Sequence, residues 1–202
     1  MTASAISSSS SVSGQGSTKT RTGIPSGVLG MIVFVLVEVM FFAALISAYL
    51  IVKAGAGDWP PPGQPRLPAA ATALNTLVLL GSGIMAWLAG RTYGREKLTK
   101  KLATQLLVSL LMGTFFLLAQ GFEWVRLLQF GLTMKSSTYG AFFYLVIGTH
   151  ALHVFSAACF LGYAWFKAHK GTMTASELWT SQVFWYFVVG VWPILYVLLY
   201  LS

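Results

Sequence analysis

Charge is the scarcest property of this sequence: Asp, Glu, Lys and Arg together make up 9% of its 202 residues, against roughly 25% in soluble domains. With 56% of the residues hydrophobic, a water-soluble fold would aggregate, because it could not bury that much apolar surface. The single cysteine, Cys159, lies inside an apolar run and excludes both an intramolecular disulfide and a cysteine-based metal cluster. It is expected only to pack. Histidine is limited to three residues, too few for a membrane di-iron site of the desaturase kind. No nucleophile stands beside a base, no glycine-rich phosphate loop occurs and no internal repeat is visible. Catalysis by this chain alone is not expected. The net charge of +8 comes from 13 Lys and Arg scattered between apolar runs, without a continuous stripe or aromatic interleaving. Nucleic acid is therefore not an expected partner.

What the chain does have is long apolar runs. A helix needs about 20 apolar residues to cross a ~30 Å hydrocarbon layer, and five segments reach that length: Val28–Val52, Ala69–Gly90, Leu102–Phe122, Tyr139–Phe166 and Leu178–Leu201. The fold class is thus all-α, an integral membrane bundle of five transmembrane helices. Residues 1–22 are rich in Ser, Thr and Gly and are expected to form a disordered tail. Residues 23–202 form one domain. The first apolar run is too long for the core of a cleavable signal, so it is expected to remain as the first span. The first loop carries Trp59-Pro60-Pro61-Pro62-Gly63, which cannot continue a helix. Nine Lys and Arg fall on the N-terminal side of the spans and four on the other. Basic residues are retained in the cytoplasm near span ends, which predicts the N-terminus inside and the C-terminus outside. Trp59, Trp124 and Trp179 sit near span ends, as interfacial indoles do.

Against that apolar background, ionisable residues stand out. Glu38 lies in Val35-Leu36-Val37-Glu38-Val39-Met40, roughly 15 Å into the first span and near mid-bilayer. An isolated carboxylate there would be costly, so it is either protonated or held by a partner, and such residues are functional by default. His150 and His153 stand three apart on the fourth span in Gly148-Thr149-His150-Ala151-Leu152-His153. They lack the further ligands a metal site needs, since the third histidine, His169, is in a loop. They also share one face, whereas the axial ligands of a bis-histidine haem approach from opposite faces. One of the two is expected to hydrogen-bond Glu38 or another buried polar group, with Gly148 and Ala151 letting a neighbouring helix approach closely. Gln120 and Glu123, at the outer end of span three, share a face and are expected to make structural or subunit contacts. Glu96 and Glu177 read as surface charges in loops.

Taken in order, these segments resemble subunit III of the haem-copper terminal oxidases, the cytochrome c and quinol oxidases, in the bacterial form with five helices. The residues that carry the resemblance are Glu38-Val39-Met40-Phe41-Phe42, the Trp59-Pro60-Pro61-Pro62-Gly63 loop, Leu74-Asn75-Thr76, Gln120 to Trp124 followed by Tyr139-Gly140, and Gly148 to Val154. The last span departs from the pattern: where the family has a histidine and an aspartate, this chain has Tyr186 and Val189. The resemblance implies an accessory subunit of the bacterial cytoplasmic membrane with no metal, haem or copper of its own. Those cofactors would reside in partner subunits. It would pack on the catalytic subunit I beside other respiratory subunits and bind phospholipid. It would also support proton uptake and turnover stability, with Glu38, His150 and His153 as a buried polar cluster and Gln120, Glu123 and Tyr139 as interfacial or subunit-contact residues. A subunit III-like accessory protein of nitric oxide reductase is a second reading. A small proton-coupled transporter is a third, which the absence of symmetric halves and of paired broken helices disfavours.

Overall fold

A computed structural model describes residues 25–59, 61 and 69–201. Among them the elements are five long helices: α1 Ser26–Gly55, α2 Ala69–Glu96, α3 Lys100–Gln129, α4 Thr138–His169 and α5 Ala175–Tyr196, the last running into a π-helical turn, Val197–Leu201. All five, with the π turn counted into the fifth, are long and apolar enough to cross a membrane. The proposed tail, residues 1–22, and most of the proline-rich part of the first loop lie outside the described residues.

The helices outrun the spans read from hydropathy. At 1.5 Å per residue the 30 residues of α1 and of α3 reach about 45 Å, so their ends pass through the headgroup layers. Arg91, Arg95 and Glu96, expected in a loop, continue α2, and Glu123, also expected in a loop, belongs to the last turns of α3. The ends are set by capping chemistry and not by the loss of apolar residues. Thr99 accepts a hydrogen bond from the amide of Leu102 at 3.3 Å, Ser137 from Gly140 at 3.0 Å, and Thr174 forms a reciprocal capping box with Glu177. Two glycines in the left-handed region, Gly131 (φ 89°) and Gly171 (φ 70°), terminate α3 and α4. In each case the glycine and the residue after it bond back to carbonyls of the last helical turn, the pairing that closes a helix with an αL glycine.

Packing places α5 against α1, α2 and α4, while α2, α3 and α4 pack in sequence around it and α1 barely touches α4. Trp185, Trp192, Phe116 and Phe143 fill the shared interior. Gly113 lies directly under the Trp185 indole, and an added Cβ would collide with the ring. Neutral hydrogen bonds stitch these helices together. Ser109 donates to the carbonyl of Ser82 at 2.8 Å, Gln182 to that of Ala86 at 2.6 Å, and the Trp192 indole to the Thr76 hydroxyl at 2.8 Å. By contrast, Gly148, expected to admit a close helix, has nothing within 4 Å of where its Cβ would be, because the neighbouring contact to α1 is made by long side chains. Cys159, expected only to pack, is exposed on the outer surface of α4.

Candidate functional site

Glu38 and His153 meet between α1 and α4. Glu38 is near the middle of α1 and His153 near the middle of α4, so both belong to the same depth. His153 Nε2 and Glu38 Oε2 are 2.9 Å apart, and the two side chains are 14% and 16% exposed. The other ring nitrogen, Nδ1, is 2.8 Å from the carbonyl oxygen of Thr149, one turn back on α4. A carbonyl only accepts, so Nδ1 carries a hydrogen. One proton then remains for the contact between Nε2 and the carboxyl group. Sitting on oxygen, it gives a neutral acid donating to a neutral imidazole; sitting on nitrogen, it gives an imidazolium donating to a carboxylate. Both states have zero net charge, which is how a carboxyl group is tolerated in hydrocarbon.

Aromatic rings close around the pair. Phe42, one turn from Glu38 and 2% exposed, stands edge-on to His153 with centroids 5.2 Å apart and to His150 at 6.2 Å. Phe184 and Phe187 stand edge-on to His153 at 6.4 Å. On the outer side a groove of about 380 Å³, lined by Met31, Phe34, Leu152, Ser156 and Phe184, reaches His153. His150 takes a different place from its neighbour. It is 1% exposed, lies stacked on Trp192 at 5.1 Å, and neither ring nitrogen has a hydrogen-bond partner among the described residues. Of the two histidines, the structure puts His153 on Glu38 and His150 in the core behind it.

The other three candidates lie at the far end of the bundle, at the C-terminal ends of α1, α3 and α5 and the start of α4. Gln120 is 1% exposed; its amide donates to the Tyr200 hydroxyl at 2.9 Å and its oxygen accepts from Asn75 at 3.4 Å. It thus ties α3 to α2 and to the π turn, and its contacts are inside this chain. Tyr139, 4% exposed, stands edge-on to the Trp59 ring at 5.3 Å. Trp59 in turn donates to the Tyr49 hydroxyl at 3.2 Å, and Tyr49 donates to the carbonyl of Leu198 in the π turn at 3.1 Å. Glu123 stays near the surface, 4.0 Å from Arg126 on its own helix, and borders a groove of about 310 Å³ between α2 and α3. Glu177, read as a loop charge, sits in the first turn of α5 and binds Lys167 of α4 at 2.8 Å. Sequence reading missed Phe42 and Thr149 as neighbours of the pair and Trp192 as the ring stacked on His150. The first two stand four residues from Glu38 and His153, the spacing that puts side chain or carbonyl on one helix face.

Fold and site together define a multi-pass membrane protein with a carboxyl–imidazole contact between two of its spans. Among the described residues there is no group of three or more His, Cys, Asp or Glu that could hold a metal ion. The chain belongs to the cytochrome c oxidase subunit III family, whose model matches residues 3–202. It is 33% identical over 182 residues to a probable cytochrome c oxidase subunit 3 of Mycobacterium leprae, covering 85% of this chain and 86% of that one. Subunit 3 of Corynebacterium diphtheriae is 29% identical over the same shares, and that of Thermostichus vulcanus is 29% identical over 86% of each chain. The protein is an accessory subunit III of a haem-copper oxidase, a respiratory-chain component of the bacterial inner membrane. This family's chain does not itself carry the metal centres.

Proposed function

We propose that this subunit lies with its N-terminus in the cytoplasm and its C-terminus outside, packs against the catalytic subunit I, and holds phospholipid. Its Glu38–His153 pair supports proton uptake and turnover stability. Haem and copper would reside in the partner subunits, where oxygen is reduced. The observation that carries the reading is the 2.9 Å contact between a carboxyl and an imidazole whose other nitrogen is already committed to a carbonyl. Such a pair stores one labile proton at mid-membrane without net charge. It can pass that proton between its two atoms, or exchange it with a donor arriving through the groove beside His153. His150 stacks behind it on Trp192, within the same aromatic enclosure, with neither ring nitrogen hydrogen-bonded among the described residues. The orientation is supported by the nine-to-four distribution of basic residues.

Glu38→Gln in the assembled oxidase is the test. Glutamine keeps the shape, and its amide donates to a neutral His153 Nε2, so the hydrogen bond survives while the labile proton is lost. The expected result is a complex of normal subunit content with slower proton uptake and a shorter lifetime during sustained turnover. Wild-type turnover, uptake and inactivation lifetime would end the functional reading of this carboxyl group.

A further inference from the structure

At the inner end of the helix hairpin, away from the Glu38–His153 pair, a half-open cavity of about 460 Å³ lies between α2 and α3, lined by Leu88, Arg91, Thr92, Arg95, Glu96, Lys101 and Gln105. That volume is in the range of small-ligand sites. Three cations face one carboxylate. The carboxylate, Glu96, reaches Lys101 only at 4.0 Å, with both side chains half or more exposed, so the wall keeps a surplus of positive charge. Arg91 and Arg95 are one turn apart on α2 and present their forks to the same space. Arg91 is also braced from below, its guanidinium 4.7 Å above the Trp87 ring. Trp87 is 49% exposed, and an exposed indole beneath an arginine at a span end marks the headgroup level. One turn deeper on the same face, Leu88 lines the cavity; a further turn on, Ile84 is 59% exposed. The site is thus cationic at its mouth and apolar along its exit into the membrane.

We infer that this cavity binds the phosphodiester headgroup of an anionic membrane phospholipid, with an acyl chain running down α2 past Leu88 and Ile84. The two arginines hold the phosphate oxygens, Lys101 adds charge from α3, and the bound lipid ties the ends of the hairpin together. A solution anion would use the mouth and not the apolar exit. An acidic protein segment would need the charge without the acyl track. The inference rests on the lipid-holding part of the proposed function and is independent of the proton pair.

The test is native mass spectrometry of the assembled oxidase, stripped into phosphatidylcholine and titrated with phosphatidylglycerol. Wild type is expected to retain phosphatidylglycerol. Arg91→Gln and Arg95→Gln should each weaken retention about fivefold and the double variant about thirtyfold, as expected for cations near a lipid headgroup. Glu96→Gln, which raises the charge surplus, should tighten it, and this opposite sign keeps the test valid should the arginine variants fail to assemble. Lys170→Gln, over Phe166 and outside the cavity, should leave retention unchanged, and excess inorganic phosphate should not displace the lipid. Unchanged retention in the double variant and in Glu96→Gln would overturn the site while leaving lipid holding elsewhere intact. A wild-type complex that retains no phospholipid would overturn both. Displacement by inorganic phosphate, or loss of a protein subunit from the arginine variants at unchanged lipid count, would assign the cavity to a solution anion or an acidic partner instead.

Discussion

Helix α1 and the α2–α3–α5 core are both apolar, yet they are held to their neighbours by different chemistry. The core is joined by neutral groups, hydroxyl, amide and indole, each bonded to a backbone carbonyl or another hydroxyl. Its rings interdigitate with glycine, as Trp185 does over Gly113. Only Val28, Phe42 and Tyr49 of α1 are buried, and at mid-depth its polar tie is the Glu38–His153 pair. That is the one ion-pairing contact at mid-depth among the described residues; the other three lie near helix ends. Interhelical cohesion does not require a titratable group, as the core demonstrates a few ångströms away. A carboxyl group on the loosest helix, tied to an imidazole of α4, is the contrast on which the proposed proton-holding role rests.

Steric substitution should separate the two regions most sharply. Gly113→Val would drive a branched side chain into the Trp185 ring, and α3 and α5 would have to part. The expected cost is at the upper end of the about 1–3 kcal/mol typical of overpacked cores. Gly30→Val on α1, where nothing lies within 4 Å, should be nearly neutral. Thermal unfolding of the two variants within the purified complex checks this; equal losses would mean that α1 is packed as tightly as the core.

The second contrast concerns the pair itself. Glu38→Ala leaves the His153 Nε2 atom without a partner in an apolar enclosure, at an expected cost of about 1–3 kcal/mol. Glu38→Gln, which keeps the hydrogen bond, should cost much less. Limited proteolysis and hydrogen exchange across α1 would report its attachment in each variant. If Gln loosened α1 as much as Ala, the pair would be an ionic clasp, and its proton would lose its claim to a separate role.

The elements themselves were legible because hydrocarbon imposes a length and a composition on anything that crosses it, and all five spans carry that mark. Glu38 was legible for the converse reason: a carboxyl group following Val35-Leu36-Val37 has to be neutral or held by a partner. Its partner was legible only to within two residues. His150 and His153 are three residues apart, about 60° around the helix, and which one meets α1 depends on how α4 is rotated in the bundle. In the fold His150 stacks on Trp192 and both histidines stand edge-on to Phe42, aromatic residues indistinguishable in sequence from the many others in these spans. The partners of Gln120 were hidden for a related reason. Expected to make structural or subunit contacts, it bonds the Tyr200 hydroxyl, which the π turn after Pro193 brings to its amide, and no local pattern announces such a contact. Helix ends were misjudged where hydropathy and capping disagree, as at Arg91 to Glu96, whose long side chains reach water while their backbone remains helical.

The smallest expected effect comes from the turn between α4 and α5. Thr174 caps α5 through its hydroxyl, which accepts from the Glu177 amide at 3.3 Å, while the Glu177 carboxylate accepts from the Thr174 amide at 2.8 Å and from Lys167 at 2.8 Å. Thr174→Ala removes the hydroxyl but leaves the other two bonds, so it should cost about 1 kcal/mol. Hydrogen exchange should quicken in the first turn of α5 and be unchanged at Trp185 and beyond, because the core around Trp185 does not depend on the cap. Faster exchange spreading to α1 would instead show that α5 transmits the loosening to its outer neighbour. The division between a rigid core and a loosely held outer helix would then have to be redrawn as one cooperative unit.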